Sequence, residues 1–97
     1  MTQKKIRYYV CGIGYDKNNC VTDDEWSFGD FDTYEEALKL YKELEAVTDT
    51  ASFFEGKHSD TYQMQIQLEE CEESDLYGAE CIDVKKELWI ENPRFLR

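Results

Sequence analysis

Basic residues are scarce in this chain: 11 Lys and Arg stand against 22 Asp and Glu, a formal net charge of -11. A surface so negative repels nucleic acid and anionic membranes and favours basic partners, so direct binding to DNA or RNA is not expected. Long apolar runs are missing too. No uncharged stretch is longer than Tyr8 to Tyr15, which is far too short to span a bilayer. Met1-Thr2-Gln3-Lys4-Lys5 has two lysines but no apolar run behind them of the kind a secretory signal needs. These lacks predict a cytoplasmic protein whose thiols stay reduced.

Histidine occurs once, as His58, in the polar run Lys57-His58-Ser59-Asp60. A Cys/His nucleophile would need it beside a thiol and an orienting carboxylate, whereas a polar loop predicts a solvated surface histidine. The pair Gly12-Ile13-Gly14 lacks the third glycine of a phosphate loop, Lys17 standing in its place, and no helix follows. It reads as a strand whose glycines admit a bulge or a neighbouring aromatic ring. A calcium loop opening at Asp16 would put Cys20 at its fifth ligand and Ser27 where a bidentate Glu is required. The four cysteines lack the C-x-x-C knuckle of a zinc site. Cys11 with Cys20, and Cys71 with Cys81, can each face across a hairpin, but cross-strand disulfides are uncommon in a reducing compartment. Free, partly buried thiols with no metal and no cofactor are therefore expected. The acid pair Glu69-Glu70 would point to opposite faces of a strand. Nothing here asks for an enzyme.

What is present organises one domain over residues 1–97. Ile6 to Tyr15 is β-branched and aromatic, with Ile6, Tyr8 and Val10 on one face and Tyr9, Cys11, Ile13 and Tyr15 on the other. A strand apolar on both sides belongs at the centre of its sheet. Asp16 to Asn19 is turn chemistry. A second strand is predicted over Glu25 to Phe31, with Trp26, Phe28 and Asp30 alternating against Ser27 and Gly29. Thr33, followed three residues later by Glu36, forms a capping box, with Phe31 placed for a hydrophobic staple. The helix it opens, Tyr34 to Ala46, repeats Ala37, Leu40, Tyr41, Leu44 and Val47 on one face. Thr48 to Ser59 reads as a loop in which one of Phe53 and Phe54 turns inward and the other is exposed as a partner-facing knob. Tyr62 to Leu68 alternates strictly as a half-buried strand. Glu69 to Glu80 reads as an acidic connection. A fourth strand, Cys81 to Ile90, has Ile82, Val84, Leu88 and Ile90 on one face. The order is ββαββ, an α+β fold: a four-stranded, mainly antiparallel sheet with one helix packed on one face.

The acids come in two blocks. Asp16 to Glu36 holds eight acids and one base; Glu69 to Asp83 holds seven acids and no base. Chain direction places Asp30, Asp32, Glu35 and Glu36, around the helix start, at the same end as Glu69, Glu70, Glu72, Glu73 and Asp75. These are the candidate partner-binding residues. A charge run usually means a solvated face, but ordered carboxylates on a rigid frame can also imitate nucleic-acid phosphates and occupy a basic cleft.

The run "RYYVCGIGYDKNNCVTDDEWSFGDFDTYEEALKLY", with "YQMQIQLEECEE" and "IDVKKELWI" behind it, resembles small, acidic, uncharacterised proteins of phages and conjugative elements of gut Firmicutes. That resemblance implies residence in a bacterial host and carries no functional residue with it. In size and charge alone the chain is similar to anti-CRISPR and other anti-defence proteins. The expectation is a non-enzymatic binding protein that inhibits a basic, nucleic-acid-handling host protein. The alternatives are a small interaction module of a mobile element without inhibitory role, or a thiol- or metal-dependent enzyme using Cys11, Cys20 or His58.

Overall fold

The computed structural model describes residues 4–74 and 78–96. The chain runs β1 (Lys4–Tyr15), β2 (Val21–Phe31), α1 (Tyr34–Glu45), two 3-10 turns (Thr50–Phe53 and Gly56–His58), β3 (Gln63–Ser74), β4 (Gly78–Glu91) and a last 3-10 turn, Pro93–Phe95. The four strands make one antiparallel sheet in the order β2-β1-β3-β4. β1, apolar on both faces, is an inner strand, as its composition requires. No helix among the described residues is long and apolar enough to cross a membrane.

β1 and β3 pair without a break from Lys4↔Ser74 to Tyr15↔Gln63. Strand alternation then divides the sheet cleanly. Tyr8, Val10 and Gly12 share one face with Met64, Ile66, Leu68 and Glu70. Tyr9, Cys11, Ile13 and Tyr15 share the other with Gln63, Gln65, Gln67, Glu69 and Cys71. Helix α1 lies across β1, β2 and β3 on the first face. There Val10, Met64, Ile66 and Leu68 are almost fully buried with Ala37 and Tyr41, and each large apolar side chain so covered contributes roughly 1.5–3 kcal/mol. The second face carries no α-helix among the described residues. We call it the open face.

The local chemistry explains the ends of these elements. Glu36 N–H donates to Thr33 Oγ1 at 3.3 Å, and the Thr33 hydroxyl donates to Glu36 Oε1 at 3.0 Å, so the Glu36 side chain returns to the hydroxyl of its cap. In the β1–β2 turn, Asp16 Oδ1 accepts from Asn18 N and Cys20 N at 2.8 and 3.0 Å. Asn19 takes the left-handed conformation, φ 64°, which asparagine tolerates.

Five expectations need correction. β2 begins at Val21, opposite Tyr15; its acids sit on an edge strand where charge is tolerated. A register shift between Val10 and Cys11 leaves Phe28 as the extra residue of β2, so Trp26 and Gly29 face the helix while Ser27 and Asp30 face away. Glu69 to Glu80 is not a connection: Glu69–Ser74 continue β3 and Gly78–Glu80 open β4. Basic Lys5 and Arg7 lie across from Glu73 and Cys71, which lets so acidic a segment pair. Ile82 and Val84 do not share a face with Leu88 and Ile90, because β3–β4 register shifts make Lys85 and Ile82 extra residues; Ile82 is 51% exposed. Finally, Phe53 and Phe54 are both buried. The 3-10 turn points them around Trp26, whose Nε1 donates to the Phe53 carbonyl at 2.9 Å, and Phe54 meets the same indole edge-on. That loop is core and offers no knob.

Gly12 lets this core close. A Cβ there would lie 2.5 Å from Met64 Cε and 3.0 Å from Trp26 Cβ. The Gly12-Ile13-Gly14 stretch is thus a strand that admits an aromatic neighbour. Gly12→Ala should cost about 1–3 kcal/mol by forcing Met64 and Trp26 apart, read as a lower denaturant midpoint. An unchanged midpoint would mean that this contact does not limit the packing.

Candidate functional site

Two groups of side chains gather where the N-terminal half of β1 meets β3: the acids at that end of the sheet, and the thiols on the open face.

The register brings eight of the expected acids to one end. Asp30 and Glu69 flank Tyr9 on either side, Glu70 lies opposite Tyr8, and Glu72 and Glu73 lie opposite Ile6 and Lys5. Asp32 follows β2 directly, and Glu35 and Glu36 form the first turn of α1, whose Tyr34 packs edge-on against Tyr8. Asp75 lies outside the described residues. The acids do not form one surface, however. Asp30, Glu69 and Glu73 belong to the open face, and Glu70 and Glu72 to the helix face.

They also meet internal bases that their own spacing does not reveal. The Arg7 guanidinium bonds both Asp30 and Asp32 and lies 3.6 Å from Glu73. The hydrogen bond to Asp30 and the surrounding carboxylates raise its already high pKa. Lys5 Nζ is 3.2 Å from Asp32. Lys85 Nζ lies 2.9 Å from Asp83 and 3.5 Å from Glu70. Tyr9 donates its hydroxyl to Glu73, and that bond, with burial, pushes the phenol up to about 12. Arg7 and Lys85 are the residues that sequence reasoning missed. The signal for Arg7 was its place in a strand of alternating faces, two residues before Tyr9.

On the open face, Cys71 and Cys81 stand directly opposite each other in the β3–β4 ladder, and Glu69 shares their side two residues before Cys71. The ligand-type atoms of Glu69, Cys71 and Cys81 all lie within 4.8 Å of one another. Cys11 of β1, opposite Gln67, stands outside that group; burial first, then the Glu69 charge, pushes its thiol up to about 12. Cys71 is likewise pushed up to about 12 by burial and Glu69, and Cys81 is raised by the same causes. Cys20 stands apart in the exposed β1–β2 turn.

His58 corrects another expectation. It is not a solvated surface residue: its ring stacks on Trp26 at 4.0 Å between centroids. Its Nδ1 is buried without a hydrogen-bond partner, 3.7 Å from Asp24 Oδ1. Trp26 faces the helix side, so His58 and the open-face thiols Cys11, Cys71 and Cys81 occupy opposite faces. The geometry assembles no Cys/His pair from them.

No protein-family model, curated protein or solved structure matches this chain. Its chemistry therefore rests on these side chains alone.

The thiol pKa values have a direct consequence. A thiol held protonated by the fold retains its proton to higher pH than in the unfolded chain, so the stability it contributes falls as pH climbs above the ordinary value of 9.0 toward 12. In reduced, metal-free protein at mildly alkaline pH, Cys20 should be alkylated first, with Cys11 and Cys71 reacting only on unfolding. Mass spectrometry of the labelled peptides checks the order. Early labelling of Cys71 would show that the ladder opens at this point.

Proposed function

We propose that this chain is a non-enzymatic binding protein whose acidic end engages a basic, nucleic-acid-handling protein, as an inhibitor of the anti-CRISPR or other anti-defence type would. The observation that carries the reading is the saturation of Arg7. One guanidinium is shared among Asp30, Asp32 and Glu73, so the bases within the chain are outnumbered where its carboxylates are densest. Glu35 has no ion pair among the described residues, and Glu36 is used only in the helix cap.

Two further features favour the reading. The acids are mounted on long paired strands, in a body 55 Å long and 25 by 21 Å across, so they reach a partner already ordered. Same-face carboxylates on one strand, such as Glu70 and Glu72, recur at about 6.8 Å, two axial steps of a nucleic-acid strand. A partner evolved to hold phosphates would meet fixed charges at comparable intervals. Attraction of this kind steers encounter and weakens as salt screens it, over about 10 Å at 0.1 M ionic strength.

The test reverses charges that hold no internal base. Immobilised wild-type protein should retain a basic, nucleic-acid-binding protein from a bacterial lysate, and added DNA and raised salt should each release it. The double variant Glu35→Lys, Glu80→Lys leaves Arg7, Lys85 and the thiols untouched and should retain at least about tenfold less, since each opposed charge at a steered interface costs on the order of 1 kcal/mol or more. Retention by the folded variant at the wild-type level, insensitive to salt, would make the acidic end a solvating surface.

A further inference from the structure

We propose that Glu69, Cys71 and Cys81 form a zinc site on the open face of the sheet, with donors from two adjacent strands. The absence of a C-x-x-C knuckle argues against zinc only if one tight turn must seat two thiolates. Here the β3–β4 ladder does that work, setting Cys71 and Cys81 side by side. The two-residue spacing of a strand adds Glu69 on the same side.

The distances fit. Tetrahedral zinc with bonds of about 2.3 Å to sulfur holds its thiolates about 3.8 Å apart. The donor atoms of Glu69, Cys71 and Cys81 are already within 4.8 Å of one another, and the Cys71 thiol lies 3.9 Å from Glu69 Oε2. Closing the remaining gap needs side-chain rotation and no backbone movement. Cys11 of β1, opposite Gln67, stays outside this set. Cys71 is buried and Cys81 exposed, so the ion has an entry from solvent and a protected floor.

The donor set selects the metal. Two sulfur ligands disfavour Ca2+ and Mg2+, which take oxygen, and suit Zn2+ or a softer ion. Three protein donors leave the fourth tetrahedral position to water, and the ion would clamp β3 and β4 together. Each coordinating thiol releases its proton to solvent on binding. A disulfide between Cys71 and Cys81 would consume two of the same ligands, so the two states exclude each other.

The test uses reduced, metal-free full-length chain with a phosphine reductant. Zn2+ is titrated in competition with a chromophoric chelator, and Co2+ is added separately as a spectroscopic probe. One Zn2+ per chain and a thiolate-to-cobalt charge-transfer band are expected. Cys71→Ser and Cys81→Ser should each weaken Zn2+ binding at least about tenfold, a loss seen even for outer-shell partners of metal sites, and should diminish the cobalt band. Cys20→Ser should change neither. Because Cys81 is exposed, Cys81→Ser keeps the test decisive should Cys71→Ser fail to fold. Wild-type binding no tighter than that of Cys81→Ser, no cobalt–thiolate band, or an equal loss in Cys20→Ser would overturn the proposal.

Discussion

The unbroken pairing of β1 with β3 is the constraint on which the rest of the molecule depends. Twelve consecutive residue pairs run from Lys4↔Ser74 to Tyr15↔Gln63 with no register shift, whereas the outer pairings, β1–β2 and β3–β4, each contain shifts. A one-residue slip in the central ladder would exchange the two faces. Were β3 the strand to slip, Ile66 and Leu68 would leave the core, and Glu69 and Cys71 would enter it. The outer strands are free to bulge because the inner pair is not. Bulging lets Phe28 reach the core from β2, and it turns Val84 and Cys81 of β4 to the open face.

The same ladder sets the electrostatics. It brings the N-terminal bases of β1 against the acidic half of β3, so the most negative part of the chain is built around Lys5 and Arg7. Exposed ion pairs contribute little individually. Their value here is that they set a base between acids on both sides of β1: Arg7 meets Asp30 and Asp32 from β2 and Glu73 from β3. Arg7, mostly covered and shared by three carboxylates, is the centre of that arrangement.

The legible parts of the sequence were those where period and polarity agree. The inner strand Ile6 to Tyr15, the capped helix from Thr33 and the alternating Gln63 to Leu68 each show one period with the polar residues on the outside. The hidden parts were those where charge masked the period. Glu69-Glu70-Cys71-Glu72-Glu73 has no apolar alternation because both of its faces are polar, so only the partner strand reveals it as a strand. The bulges at Ile82 and Lys85 are likewise invisible from within β4, since an extra residue has meaning only against a partner's register. The burial of Phe53 and Phe54 together follows from Trp26, whose ring and N–H give both residues a reason to turn inward. No local pattern in the loop records it. The end of the sheet where the acids gather was legible from chain direction alone, but their division between two faces was not.

That division separates the two chemistries of the molecule. Glu70 and Glu72 point to the helix face, near Tyr8 and the start of α1, where Glu35 adds its charge. Glu69 points the other way, beside the Cys71 and Cys81 thiols. A carboxylate in that setting has two ways to offset the cost of confinement. It can accept a hydrogen bond from a thiol that burial keeps protonated, or it can share a cation with the thiols. The first leaves two protonated sulfurs facing each other across the β3–β4 ladder, with little bonding to gain from one another. The second replaces two protons by one ion that bonds all three donors at once and ties β4 to the rigid pair beside it. β4 needs such a tie more than any other strand. Helix α1 stops short of it, and only Leu88 and Ile90 along its length are covered. A clamp at Cys81 would hold the strand at the point where the core no longer does.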